Sequence, residues 1–200
     1  MKRTSFTRPN YEELIKKLKE KNQKKPISKI SVKEKSKVVK TTKLTVSQRE
    51  ESILKFFRQK MREKDVTPSE MQKGKSNTAK MSNIAWAIFS NYTRKRDHQK
   101  YKGKCYTCNK ILDRWQDMSA NHYISRSKKI TLFDETNVKG GCQQCNHPMM
   151  GNGMPRTFAA NLDAEYGDGT SRRLYQKSQQ TIKADFWWYM EIAEEYIEMI

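Results

Sequence analysis

Two C-x-x-C pairs, Cys105-Tyr106-Thr107-Cys108 and Cys142-Gln143-Gln144-Cys145, account for every cysteine in the chain, with 33 residues between them. Two residues of spacing let a tight turn aim both thiolates at one ion, and two such knuckles close a tetrahedral four-sulfur site. With every position taken by sulfur, no place is left for a metal-bound water. The expected ion is therefore a structural Zn²⁺, whose removal unfolds a segment that lacks its own core. A redox pair or two disulfides are the competing readings, and a reducing compartment argues against both. Gly103, Gly140 and Gly141 beside the knuckles are expected to permit their turns. Through this frame runs a His…Asn…Asn series: His122, Asn137 and, directly after the last cysteine, Asn146. A lone histidine is most often a surface or core residue. A metal frame changes that weighing, because it fixes both ends of the insertion and lets a strand bearing His122 lie against a helix bearing Asn146.

The elements that must position these residues are mostly helices. Tyr11, Leu14, Ile15 and Leu18 suggest a short amphipathic helix within 1–20, followed by a lysine-rich stretch from Lys21 to Lys43 with no sustained period. Ser47-Gln48-Arg49-Glu50 reads as a capping box, and Ile53, Leu54, Phe57 and Met61 then recur at helical spacing, predicting a helix over 48–64. Thr67-Pro68-Ser69-Glu70 starts another helix, which Gly74 ends. A longer helix from about Lys80 to Gln99 turns Ile84, Ala85, Ile88, Phe89 and Tyr92 to a core and finishes on Arg94-Lys95-Arg96-Asp97-His98. Those cations suit a helix C-terminus or a phosphate contact, and His98 reads as a phosphate contact or a surface residue. Leu162 and Tyr166 mark a short helix ending at Gly167. A last helix over 181–199 carries Phe186, Met190, Ala193 and Ile197, widened by Trp187, Trp188 and Tyr189, and packs on the four-cysteine unit or on a second subunit.

Charge bears on the expected partner. Lys and Arg number 41 against 22 Asp and Glu, a formal net charge of +19. The excess sits in residues 1–80, with 24 basic and 9 acidic side chains. Such a block attracts polyanions and releases condensed counterions from each phosphate it neutralises. Nucleic acid leads over a merely solubilising tail or an anionic membrane surface. No apolar run reaches the roughly 20 residues of a spanning helix, and the opening MKRTSFTRPNYEELIKK has no apolar signal-peptide core, so a cytoplasmic location is expected.

The order of C-x-x-C, a histidine on a strand, an asparagine before the second C-x-x-C and an asparagine directly after it resembles the HNH (ββα-metal) nucleases. More closely, "IFSNYTRKRD", "GKCYTC", "NHYISR", "LFDETNVKGGCQQCN" and "GN" resemble the phage recombination NinG (Rap) family, from about Ile84 to Gly167. The cysteine and Asn146 layout is also similar to endonuclease VII-type junction resolvases. Residues 1–80 match no family.

The resemblance implies an α+β fold: a small zinc-stabilised ββα-metal unit at 100–167, flanked by a helical region at 47–99 and a C-terminal amphipathic helix at 168–200, behind a basic, partly disordered arm at 1–46. It implies a metal-dependent endonuclease, phage-encoded and working in the bacterial host's cytoplasm on branched DNA, as a homodimer if four-way junctions are cut symmetrically. Phosphodiester hydrolysis needs a base titrating near neutrality and a hard cation, Mg²⁺ or Mn²⁺, as Lewis acid and template. On this reading His122 is the general base, Asn146 offers its amide oxygen to the catalytic cation, Asn137 braces the loop holding the histidine, and Arg126 clamps a phosphate. Arg94, Lys95, Arg96, Lys128 and Lys129 are further DNA contacts. One departure stands out. Many HNH enzymes place a metal-binding aspartate directly before the base, where this chain has Asn121. Hard cations prefer a carboxylate; Asp117 and Asp134 are candidate substitutes, and His147 is an alternative ligand beside Asn146. The competing functional classes are a zinc-dependent DNA-binding recombination accessory protein without nuclease activity and an RNA-binding structural protein.

Overall fold

The computed structural model describes residues 44–67, 76–146 and 154–200. The helix and linker expected before Lys43, the helix expected from Thr67 to Gly74 and the candidate ligand His147 lie outside those residues, wholly or in all but one position.

Helix α1 spans Val46–Glu63 and buries the four apolar residues expected from its period, Ile53, Leu54, Phe57 and Met61. Its capping box forms two residues earlier than the Ser47–Glu50 reading. Gln48 N donates to Thr45 Oγ1 at 3.3 Å and Thr45 N donates to Gln48 Oε1 at 2.9 Å. Thr45 is followed by a glutamine three residues on, which makes the exchange reciprocal and leaves Ser47 inside the first turn. Helix α2, Asn77–Lys100, is capped by Ser76 and forms the axis of the molecule. Against it pack α1, both strands and the last helix.

The sheet has two strands, β1 at Ser119–His122 and β2 at Val138–Gly141. They are antiparallel, with His122 opposite Val138 and Asn121 opposite Lys139. The one-turn helix α3, Gln143–Asn146, follows directly. Short 3₁₀ turns at Trp115–Asp117 and Lys129–Thr131 shape the segments flanking β1. Helix α4, Pro155–Tyr166, ends at Gly167, whose φ of 92° is a left-handed conformation that favours glycine. The described residues thus form an α+β fold of helices with one small sheet.

The C-terminal region differs from the single helix expected over 168–200. It holds α5, Thr170–Ser178, and α6, Phe186–Ile197, separated by a non-helical stretch. The Asp185 carboxylate accepts Trp188 N at 3.1 Å and sets the start of α6, several residues after 181. The aromatic stripe of α6 is spent within the chain. Tyr196 meets Phe89 edge-on at 4.9 Å, and Trp188 lies 5.4 Å from Phe133, inside the segment between the cysteine pairs. Phe186, Tyr189, Met190, Ala193 and Ile197 are buried. Of its two expected uses, packing on the four-cysteine unit is the one seen, through Trp188 and Phe133, while Trp187 and Trp188 stay partly exposed.

Among the residues expected to contact DNA, Arg96 has an internal role. Its Nε lies 2.6 Å from Asp97 Oδ1, its Nη1 2.7 Å from Glu135 Oε2, and its Nη2 donates to the Val138 carbonyl. Asp97 is fully buried, and its second oxygen accepts Gly140 N at 2.7 Å. This network ties the end of α2 to β2 and leaves Arg96 unavailable to a phosphate. His98 is likewise internal, its Nε2 hydrogen-bonded to the Leu112 carbonyl at 3.1 Å. Removing one partner of a buried ion pair strands the other charge, so Arg96→Ala is expected to lower unfolding stability by about 3 kcal/mol. Lys128→Ala, on an exposed loop, should change it by less than about 0.5 kcal/mol. Urea unfolding of the two variants checks both values.

Candidate metal centre and adjoining cleft

The sulfur atoms of Cys105, Cys108, Cys142 and Cys145 all lie within 4.8 Å of one another. Cys108 Sγ and Cys142 Sγ are 3.7 Å apart. Zinc–sulfur bonds of about 2.3 Å in a tetrahedron place the sulfurs about 3.8 Å from each other, whereas a disulfide needs about 2.0 Å. The spacing is compatible with one zinc ion and too wide for disulfide pairing. All four cysteines are free, and three are buried. Burial pushes the Cys105 and Cys145 thiols up, so four thiolates in this space require a cation's charge.

The two knuckles are built differently. The first is a hairpin: Leu112 N donates to the Gly103 carbonyl, Cys105 N to Lys110, and Asn109 N to Cys105. Gly103 has a φ of 74°, the turn role expected of it. The second knuckle joins β2 to α3, and its glycines are strand residues there for closeness, contrary to the turn reading. A Cβ on Gly141 would sit 2.5 Å from Asn121 Nδ2 and 3.2 Å from Cys105 Sγ, and one on Gly140 would sit 2.9 Å from Asp97 Cβ. Cys142 N donates to Cys105 Sγ at 3.2 Å, a bond that suits a thiolate acceptor.

Beside this centre lies a cleft of about 610 Å³. His122 and Asn146 both line it, brought together by the strand–strand–helix order, as do Arg126 and Arg94. Trp86, Ser90 and Arg94 contribute from α2, four residues apart and therefore on one helix face. The His122 ring stacks on Trp86, with centroids 5.0 Å apart, and its Nε2 is 3.0 Å from the Leu132 carbonyl. A carbonyl only accepts, so Nε2 carries the proton and Nδ1 holds the free lone pair. Burial, with a smaller opposing contribution from that carbonyl, holds the His122 pKa down at about 4, leaving a neutral imidazole at pH 7.

Asn137 is buried under the loop that follows His122. Its Oδ1 accepts Ile124 N at 2.7 Å, and its Nδ2 donates to the carbonyls of Ile124 and Thr131, the latter at 2.8 Å. Asn121 is not a cleft-lining residue. Strand alternation turns it from His122 towards the cysteines, where it is buried with Nδ2 3.4 Å from the Cys142 carbonyl. Its Oδ1 is buried with no hydrogen-bond partner among the described residues. Asp134 is paired with Lys177 and caps Thr136 N, while Asp117 is paired with Arg114. Neither lines the cleft, so neither supplies the carboxylate considered for it. Lys128 and Lys129 are exposed on the loop bearing Arg126, and Lys95 lies over Trp115. The feature missed from sequence is Trp86, although its four-residue spacing to Ser90 and Arg94 was legible.

Compared with protein-family models, curated proteins and solved structures, the chain matches none.

Two outcomes follow from this geometry. The purified protein should carry one zinc per chain by elemental analysis, and stripping it or replacing Cys142 with Ser should abolish cooperative unfolding. Above pH 6.5 His122 is neutral whether folded or unfolded. As pH falls from 6.5 towards 4, the unfolded state gains a proton that the folded state refuses. Wild-type stability should therefore fall by up to about 3 kcal/mol more than that of His122→Ala across this window, as measured by denaturation at several pH values.

Proposed function

We propose that the chain is a metal-dependent DNA endonuclease of the HNH type, acting on branched or recombination-related DNA. The observation that carries this reading is the convergence of His122 and Asn146 on one cation-lined cleft beside the four-sulfur cluster. Support also comes from the order of parts, two strands and then a helix, with the knuckle cysteines at the start of the insertion and at its end.

His122, neutral and with its Nε2 proton donated to Leu132, would receive the proton of the attacking water at Nδ1. Stacking on Trp86 and the Asn137-braced loop keep the ring in place. Arg126 and Arg94 would neutralise phosphate oxygens as charge builds there. Asn146 would offer its amide oxygen to Mg²⁺ or Mn²⁺, which supplies Lewis acidity to the phosphate and leaving oxygen. The basic excess in residues 1–80 would contribute sequence-independent affinity for the backbone.

A second reading is favoured by one specific feature. None of the described residues lining the cleft is an aspartate or glutamate, and a cleft without a carboxylate suits a DNA-binding recombination accessory protein better than a cation-dependent enzyme. Cleavage of labelled four-way junction, flap and plain duplex DNA with Mg²⁺ or Mn²⁺ separates the two. The nuclease should cut, and His122→Ala should lower the rate at least about 100-fold while leaving gel-shift binding intact. Tight binding by the wild type without cutting in either metal would establish the accessory reading instead.

A further inference from the structure

We propose that Trp86 and Trp115 are positioning residues that hold Arg126 and Arg94 as a pair of preordered clamps for two phosphodiester groups of a nucleic-acid strand lying in the cleft. The inference rests on the nucleic-acid part of the reading above and not on catalysis.

Each arginine has its own aromatic platform. The Arg126 guanidinium carbon lies 4.0 Å from the Trp86 ring centroid, and that of Arg94 lies 5.2 Å from the Trp115 centroid. Lys95 Nζ shares the second ring at 5.1 Å. Stacking occupies the flat face of a guanidinium and leaves its in-plane N–H groups directed outward, the edge that matches two phosphate oxygens. Arg94 spends one donor, its Nε, on the Ser90 carbonyl at 3.2 Å.

Charge pairing distinguishes these two arginines from their neighbour. Arg96, two positions on from Arg94, is ion-paired to Asp97 and Glu135. Among the described residues Arg94 and Arg126 have no carboxylate partner, yet both line the cleft. Arg94 is half-buried, and burial lowers its pKa with no anion to offset it. A cation withdrawn from water with an aromatic brace in place of a counter-ion is prepared for an incoming anion. Trp86 has a second duty, because the same ring stacks on His122. One side chain thus sets the spacing between clamp and histidine.

A brace acts through preorganisation, so its loss should weaken binding without changing charge. The test is a pair of double-mutant cycles on the full chain. Anisotropy with labelled duplex and four-way-junction DNA reads the affinity, in Ca²⁺ and over a salt series. Trp86→Leu and Trp115→Leu should each weaken binding about five-fold with the salt slope unchanged, while Arg126→Gln and Arg94→Gln should each lower the slope by about 1. Within each stacked pair the double variant should be little weaker than the arginine variant alone, whereas the crossed pair, Trp86 with Arg94, should multiply. Phe at either tryptophan should restore most of the affinity. Should Trp86→Leu fail to fold, Arg126→Lys keeps the charge but loses the flat face, and should reproduce the five-fold loss.

Multiplicative effects within the stacked pairs, undiminished affinity, or absence of DNA binding would each overturn the proposal. Cleavage with multiplicative pairs would remove the clamps and leave the nuclease reading standing. Coupled pairs without cleavage in any metal would do the reverse.

Discussion

Between Cys108 and Cys142 run 33 residues that contain both strands, the two 3₁₀ turns and the histidine-bearing loop, and closing that span is the constraint on which the rest of the structure depends. Four-residue strands make too few ladder bonds to be stable alone. Four sulfurs mutually within 4.8 Å hold the ends of the span together, and Gly141 lets the backbone come close enough for Cys142 N to bond the Cys105 sulfur. A metal ion there would add to the apolar burial of Met118, Leu132, Phe133 and Val138, the few core residues this segment supplies. The strand pairing follows, and with it the register that places His122 opposite Val138 and turns Asn121 the other way.

The long helix α2 converts that local closure into a site. One side packs Met81, Ile84, Ala85, Ile88 and Phe89 into the core shared with α1 and α6. Its end sends the buried carboxylate of Asp97 to Gly140 N, fixing β2 lengthwise, with Arg96 and Glu135 completing the charge balance. Another side presents Trp86, Ser90 and Arg94 to the cleft. Consecutive residues Arg94, Lys95 and Arg96 thus serve different ends. Successive helical positions are about 100° apart, so Arg96 turns inward to Asp97 and Glu135 while the long side chains of Arg94 and Lys95 both reach the Trp115 ring.

How much of this was legible depended on whether a feature has a period or a fixed spacing. The C-x-x-C pairs imposed their own geometry, and the apolar stripes of α1 and α2 appeared where 3.6-residue periodicity placed them. The gathering of His122 and Asn146 on one cleft was also readable, because metal-ligand spacing fixes both ends of the insertion. Features decided by competition between near-equivalent local groups were not. Thr45 and Ser47 are both capable caps, and the glutamine three residues beyond Thr45 decides between them. The start of α6 rests on one carboxylate, Asp185. The internal role of Arg96 depends on Glu135, 39 residues away, a partner no local pattern announces. Gly140 and Gly141 looked like turn residues because their actual task, close approach to Asp97 and Asn121, exists only after folding.

The composition of the cleft bears on how a cation-dependent reaction would operate here. Its described walls carry two guanidinium groups, a neutral imidazole and one amide oxygen, with no carboxylate. Against two ring-braced positive charges, Arg94 half-buried and Arg126 exposed, a divalent cation is repelled before DNA arrives. A phosphodiester entering the cleft reverses that field, bringing negative charge and oxygen ligands together. Under the nuclease reading, cation binding should then be coupled to DNA binding, each raising the other's affinity by the same factor. The low pKa of His122 departs from the near-neutral base expected from sequence, and the negative charge of an entering phosphodiester would raise it towards that range. An imidazole kept neutral by burial adds no further positive charge to the empty cleft, and it remains able to accept a proton when substrate and cation are in place. Asn121, at the place where many HNH enzymes carry an aspartate, belongs to this balance under the nuclease reading: a carboxylate at its buried position would face the four sulfurs, which as thiolates are already negative, and its charge would be offset only in part.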